Sequence, residues 1–132
     1  MNATHHKTTE LEEEIGNAIV NAAFQVHSKL GPGLLEKVYE VCLIHEIRKA
    51  GFKVASQLDI PIQYKGITLN EGLRLDLLVE DLVIVEIKAV DEVNPVWIAQ
   101  VLSHLKLTGH HLGYLINFNS PKIKDGIRRV IV

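Results

Sequence analysis

The chain has one cysteine, Cys42, in 132 residues, so no internal disulfide holds it together and a reducing compartment is the natural setting. It has no apolar run near the roughly 20 residues a membrane span needs. Nor does the polar stretch Met1 to Glu10 contain the apolar centre of a secretion signal. These absences point to the cytoplasm and away from a membrane partner. An excess of basic charge is also missing: the formal net charge is -2 at pH 7. Nucleic acid would then be held by local patches, or with a metal offsetting phosphate repulsion. There is no glycine-rich phosphate loop, Ser-His-Asp arrangement or HExxH helix, so the enzyme classes those patterns mark have no support. No repeat, low-complexity segment or linker interrupts the chain.

What is there suffices for one domain. A hydrophobic share of 47% with 23% charged residues is that of a globular chain with a single core, and the length is too short for two ordinary domains. Residues 1–8 are expected to be frayed and 9–132 to form the domain. Thr9 followed by Glu12 has capping-box spacing. Leu11, Ile15, Ala18, Ile19, Ala22, Val26 and Leu30 then recur on one helical face until Gly31-Pro32-Gly33 ends it. A second helix is predicted from Leu34 to Ala50, with Leu35, Val38, Cys42 and Ile47 inward. The period next changes to two. Phe52 to Gln57 is a short strand, Ile60 to Tyr64 leads to a Lys65-Gly66 turn, and a return from Ile67 precedes strands over 73–79 and 82–88. Asn94 caps a helix with Pro95 at its first position, ending at Thr108 before Gly109. Leu112 to Phe118 is a strand, Asn119 to Gly126 a loop, and Ile127 to Val132 a short last element. This order implies an α/β fold: a mixed sheet flanked by helices, with an antiparallel hairpin at its centre.

Two strands of that hairpin carry charge where an apolar pattern is otherwise unbroken: Asp76 in LRLDLLV, and Glu86 with Lys88 in IVEIKAV. An unpaired buried charge costs several kcal/mol, so such residues need a reason. Alternation puts Glu86 and Lys88 on one face. A two-residue turn at Glu80-Asp81 would send Asp76 to the opposite face. A three-residue connection, Glu80 to Leu82, pairs Asp76 with Glu86 and gathers Leu73, Leu75, Leu77, Val79, Val83, Val85 and Ile87 on one apolar face. The hydrophobic pattern therefore selects the second register. Two carboxylates at a shared position repel unless a cation or proton intervenes, and oxygen donors without a thiolate favour Mg²⁺ or Mn²⁺. The competing explanation is an exposed Glu-Lys face with an unrelated Asp.

At these residues the chain resembles a known family. Gly33-Leu34-Leu35-Glu36-Lys37-Val38-Tyr39 matches the G-x-x-E-x-x-Y signature of the GxxExxY protein family, and Val26 to Gly33 looks like its lead-in. Asp76, the Glu86-Ile87-Lys88 triplet, Gln100 and the Leu115-Ile116-Asn117-Phe118 strand follow in the family's order, and the likeness covers roughly residues 11–131. That family is grouped with the PD-(D/E)XK nuclease-like superfamily. The resemblance implies a restriction-endonuclease-like fold with Asp76, Glu86 and Lys88 as the catalytic core. It also implies Glu36 and the Ile87 carbonyl as further metal ligands, and Gln100 as the glutamine of a Q-x-x-x-Y motif. His104 stands where that motif has tyrosine, a departure.

For the remaining candidates the residues leave alternatives open. Tyr39 is a packing residue or a substrate contact. His104 stacks on or bonds a phosphate, or belongs to a solvated helix face with Gln100. His27 is better explained by a bond to a loop carbonyl than by catalysis. The pairs His5-His6 and His110-His111 lack the spacing of a zinc site. Lys122, Lys124, Arg128 and Arg129, the one basic cluster, are a solvated loop or a nucleic-acid contact. The function expected is a Mg²⁺-dependent nuclease on DNA or RNA. The alternatives are an inactive binding or scaffold module of the same fold, and an enzyme that needs a partner protein or a homodimer.

Overall fold

Thr9 opens the first helix as its spacing predicts: the Glu12 amide donates to Thr9 Oγ1 at 3.0 Å and the Thr9 amide donates to Glu12 Oε1 at 2.8 Å, a complete capping box. The computed structural model describes residues 8–132. The expected frayed start therefore falls almost wholly outside the described residues, as do His5 and His6. Helix α1 (Glu10–Leu30) buries Ile15, Ile19, Ala22 and Val26, while Leu11 in its first turn is exposed.

Helix α2 (Glu36–Lys49) turns Tyr39, Leu43 and Ile47 into the core. Leu35 and Val38, expected inward, are exposed. The rotation is set by Tyr39, which is fully buried and reaches back to the turn before the helix. Its hydroxyl donates to the Gly31 carbonyl at 2.6 Å and accepts from the Leu34 amide at 3.0 Å. Its ring stacks on Phe118 with centroids 4.7 Å apart. Cys42 is half-buried and packs against the same core.

The remaining elements are β1 (Val54–Tyr64), β2 (Ile67–Val79), β3 (Val83–Lys88), α3 (Val96–Thr108), β4 (Leu112–Asn117), α4 (Ile123–Gly126) and β5 (Ile127–Ile131). The short pieces expected between Phe52 and Leu69 are instead parts of one long hairpin. It closes at Lys65-Gly66, where φ values of 47° and 84° give the primed turn that suits the twist of paired strands. The expected loop after Asn119 contains α4, a single helical turn. The sheet order is β1-β2-β3-β4-β5, antiparallel except for the β3–β4 pair, which is parallel and joined by the crossover helix α3. Helices α1 and α2 cover one face over Leu77, Val79, Val83, Val85 and Ile87; α3 covers the other over Leu78, Ile84 and Leu115.

The central register is the one the apolar pattern selects. Val79 faces Val83 and Leu77 faces Val85 across the three-residue connection, in which Glu80 and Asp81 take positive φ. One part of that expectation is overturned. Leu73 and Leu75 do not continue the face of Leu77 but pack on the α3 side with Leu78. Strand β2 switches faces at Asp76. Opposite that point, between the Ser56–Leu77 and Leu58–Leu75 pairs, Gln57 has φ 52°.

Replacing Tyr39 by phenylalanine should leave the stacking on Phe118 but remove both hydroxyl bonds to the Gly31–Leu34 turn. The expected loss is about 1–2 kcal/mol, measured as a lower urea midpoint with an unchanged slope. An unaltered midpoint would contradict the role given to the hydroxyl.

Candidate metal centre

The ladder between β2 and β3 ends at the Leu77–Val85 pair. Beyond it the two strands separate, and the Asp76 side chain enters the gap: its Oδ2 accepts the Ile87 amide at 2.8 Å. In an extended strand the N–H and C=O of one residue point to the same edge. The Ile87 carbonyl is therefore turned toward the same gap.

Glu86 stands on the α3 face of β3 and is 8% exposed. Its Oε1 lies 3.4 Å from His104 Nδ1 on α3. Both atoms are buried, and neither has a hydrogen-bond partner among the described residues. Two residues on, Lys88 holds its Nζ 4.6 Å from the centre of the Trp97 ring, a cation–π contact made by the first turn of α3. The helix comes this close because residue 113 is glycine: a Cβ there would lie 2.9 Å from Val101 Cγ1.

The charges in this space act on one another. Burial pushes the Asp76 carboxyl up to about 7; the neighbouring Glu86 adds to the rise and the Ile87 amide opposes it. Glu36, in the first turn of α2, is also raised, first by burial, with Glu40 and Glu86 adding and Lys88 opposing. Asp76, Glu86, Glu36 and Lys88 thus share one electrostatic neighbourhood. Among the described residues, however, no three His, Cys, Asp or Glu side chains gather into a ready cage. Asp76 and Glu86 are the close pair, and Glu36 is exposed at the margin. A close carboxylate pair, one of them with a raised pKa, and a backbone carbonyl at the gap fit a hard divalent cation. Mg²⁺ in particular is commonly held through one or two carboxylates and keeps several waters.

The other sequence candidates divide. Gln100 is exposed on α3, and Trp97, not Gln100, lies against Lys88. Tyr39, weighed as a nucleic-acid contact, is fully buried with its hydroxyl committed to the Gly31–Leu34 turn, so it presents no surface to a strand. His27 Nε2 is 2.7 Å from the Ser120 carbonyl, the loop-carbonyl contact expected of it. The basic cluster is split by the alternation of β5. Arg129 faces α1 and pairs with Glu13 through bonds of 2.9 and 2.5 Å. Arg128 lies in one cross-sheet row with Leu115 and Glu86, on the α3 side. Lys122 and Lys124 are exposed around α4.

Two residues of this region gave little signal in the sequence. Trp97 matches no motif in the sequence, and its place against Lys88 depends on how α3 sits on the sheet. Asn117, buried at the end of β4, donates to the Val90 carbonyl at 2.9 Å and accepts the Val90 amide at 3.0 Å, pinning the segment that follows Lys88. A polar amide ending a wholly apolar strand was the available clue.

The raised Asp76 gives a signed pH effect. Its folded value of about 7 lies above the ordinary 3.8, so the folded state binds that proton more tightly. The stabilisation is full below the unfolded value and is lost as pH rises through the folded one. Without metal, Asp76→Asn should match wild type near pH 4 and melt at a higher temperature than wild type above about pH 7. Parallel melting curves for the two proteins across that window would show that Asp76 is not raised.

A family model described as the PD-(D/E)XK nuclease superfamily matches residues 13–130. No curated protein and no solved structure gives a match. The matched span contains Glu36, Asp76, Glu86, Lys88 and His104, and the five-stranded mixed sheet with helices on both faces agrees with the restriction-endonuclease-like fold. The chain belongs to the PD-(D/E)XK nuclease superfamily.

Proposed function

We propose that this protein is a Mg²⁺- or Mn²⁺-dependent nuclease that hydrolyses phosphodiester bonds of DNA or RNA, and that within the superfamily it stands with the GxxExxY proteins. The observation that carries this reading is the Asp76 carboxyl, set into the gap between β2 and β3 beside Glu86 and raised to about 7. Asp76, Glu86 and the Ile87 carbonyl would hold the cation, with Glu36 assisting from the margin. When bound, such an ion polarises a phosphodiester and lowers the pKa of a water.

The chain's own residues then have distinct tasks. Lys88 is a fixed positive charge, oriented by the Trp97 ring, and would orient the attacking water or steady charge that builds on the phosphate. Arg128, in the same cross-sheet row as Glu86, would contact a phosphate away from the scissile bond. Gln100 is exposed on α3 and available to a strand; Lys122 and Lys124 would add weaker, sequence-independent contacts. The low overall basicity suits an enzyme that acts with a partner protein or as a homodimer. A cytoplasmic setting goes with the single cysteine. Among the described residues no helix is long and apolar enough to cross a membrane.

A second reading, an inactive binding or scaffold module of the same fold, is favoured by the lack of three gathered ligand side chains among the described residues. Metal and cleavage measurements separate the two. Mg²⁺ or Mn²⁺ at tens of Kd should stabilise the wild type by about 2 kcal/mol. Single- or double-stranded substrate should be cut, with Lys88→Ala slower by about a hundredfold or more. Equal cutting by both preparations would indicate a contaminant, and a melting temperature blind to both ions would favour the binding module.

The split basic cluster makes a separate prediction. Arg128→Glu should weaken DNA binding and reduce the slope of log K against log salt by about 1. Arg129→Glu should chiefly cost stability through the lost Glu13 pair. If the two charge reversals weaken binding alike, the assignment of Arg128 to the substrate face is wrong.

A further inference from the structure

The contact between His104 and Glu86 has no task in the reading above. His104 Nδ1 and Glu86 Oε1 are 3.4 Å apart, both are inside the protein, and neither is satisfied by another group among the described residues. A buried donor and a buried acceptor without partners are each unfavourable, and here each is the other's nearest remedy. Turning the imidazole so that its N–H points at Oε1, with a closer approach of about a few tenths of an ångström, makes an ordinary N–H···O bond. Asp76 feels the same Glu86 carboxyl both as a charge and as a hydrogen-bonding neighbour.

We propose that His104 is a positioning residue for Glu86, donating from Nδ1 to Oε1 so that the other carboxylate oxygen faces Asp76 and the divalent ion. The inference rests on the metal site proposed above and gives its glutamate a fixed orientation. Carboxylates that ligate metals are commonly held by a second hydrogen bond of this kind, which sets their rotamer before the ion arrives. Helix α3 then serves the strand twice along one stripe. Trp97 lies against Lys88, and His104, two turns later, lies against Glu86. The segment spanning both contacts is held close to the sheet at Gly113.

The test is Mn²⁺ binding by calorimetry to wild type, His104→Ala and His104→Asn, with melting temperatures recorded for all three. Asparagine can place an amide donor near the position of Nδ1, whereas alanine cannot. His104→Ala should bind Mn²⁺ about ten- to a hundredfold more weakly, and His104→Asn should recover most of that loss. If wild type and His104→Ala bind equally, or if a folded His104→Asn is as weak as alanine, the positioning role is overturned. Spin-echo spectra of bound Mn²⁺ should lack the strong ¹⁴N modulation of a directly coordinated imidazole. Strong modulation that disappears in His104→Ala would make His104 a ligand and overturn the proposal in that direction. A wild type that binds no Mn²⁺ would remove the metal site itself, and the inference with it.

Discussion

Where the β2–β3 ladder stops, the Ile87 amide would face an empty gap, and the Asp76 carboxylate takes the place of the missing strand. Much else depends on that substitution. A side chain that bonds in the plane of the sheet cannot also stand on one of its faces, so β2 changes sides at Asp76. Leu73 and Leu75 consequently serve the α3 core while Leu77 and Val79 serve the core of α1 and α2. Gln57, with its positive φ, lies on the neighbouring strand opposite the same switch. The gap leaves a carboxyl, a backbone carbonyl edge and Glu86 close together in a partly dry setting. In such a setting a second negative charge is held poorly unless a proton or a cation accompanies it.

The crossover helix completes the arrangement from above. A parallel pair such as β3–β4 requires a crossover, and α3 lies against the two strands it connects. Glycine at 113 lets it sit low enough for Trp97 and His104 to reach Lys88 and Glu86. The second core cluster, Leu75, Leu78, Ile84, Val101, Leu105 and Leu115, anchors the helix beside the charged residues. Packing and chemistry therefore share one helix: Val101 and Leu105 hold it down while its neighbours on the same face meet the strand charges.

Much of this was legible in the sequence because it depended on local rules. The Thr9 cap, the Gly31 and Gly109 helix ends and the Asn94-Pro95 start follow from residue chemistry at fixed positions. The hairpin register followed from requiring one consistent apolar face from Leu73 to Ile87, and it holds over Leu77 to Val85. What was not legible depends on how elements meet. The face switch at Asp76 breaks the alternation that made the register readable, so a strictly periodic reading placed Leu73 and Leu75 on the wrong side. The rotation of α2 depends on a hydrogen bond from Tyr39 to a preceding turn, and spacing alone favoured Leu35 and Val38. Four basic residues close in sequence are separated in space because a strand sends Arg128 and Arg129 to opposite faces. His104 drew attention only as a departure from a tyrosine, while its contact with Glu86 required the helix to be seated on the sheet.

The central claim is that Asp76 and Glu86 share one divalent cation at the point where β2 and β3 part. Its most direct test is anomalous scattering from a crystal of the protein soaked in Mn²⁺. A single peak within about 2.5 Å of a carboxylate oxygen from each residue, at the Ile87 edge of the gap, is the predicted result. A bound ion elsewhere on the protein, or a gap that stays empty at saturating Mn²⁺, would contradict it.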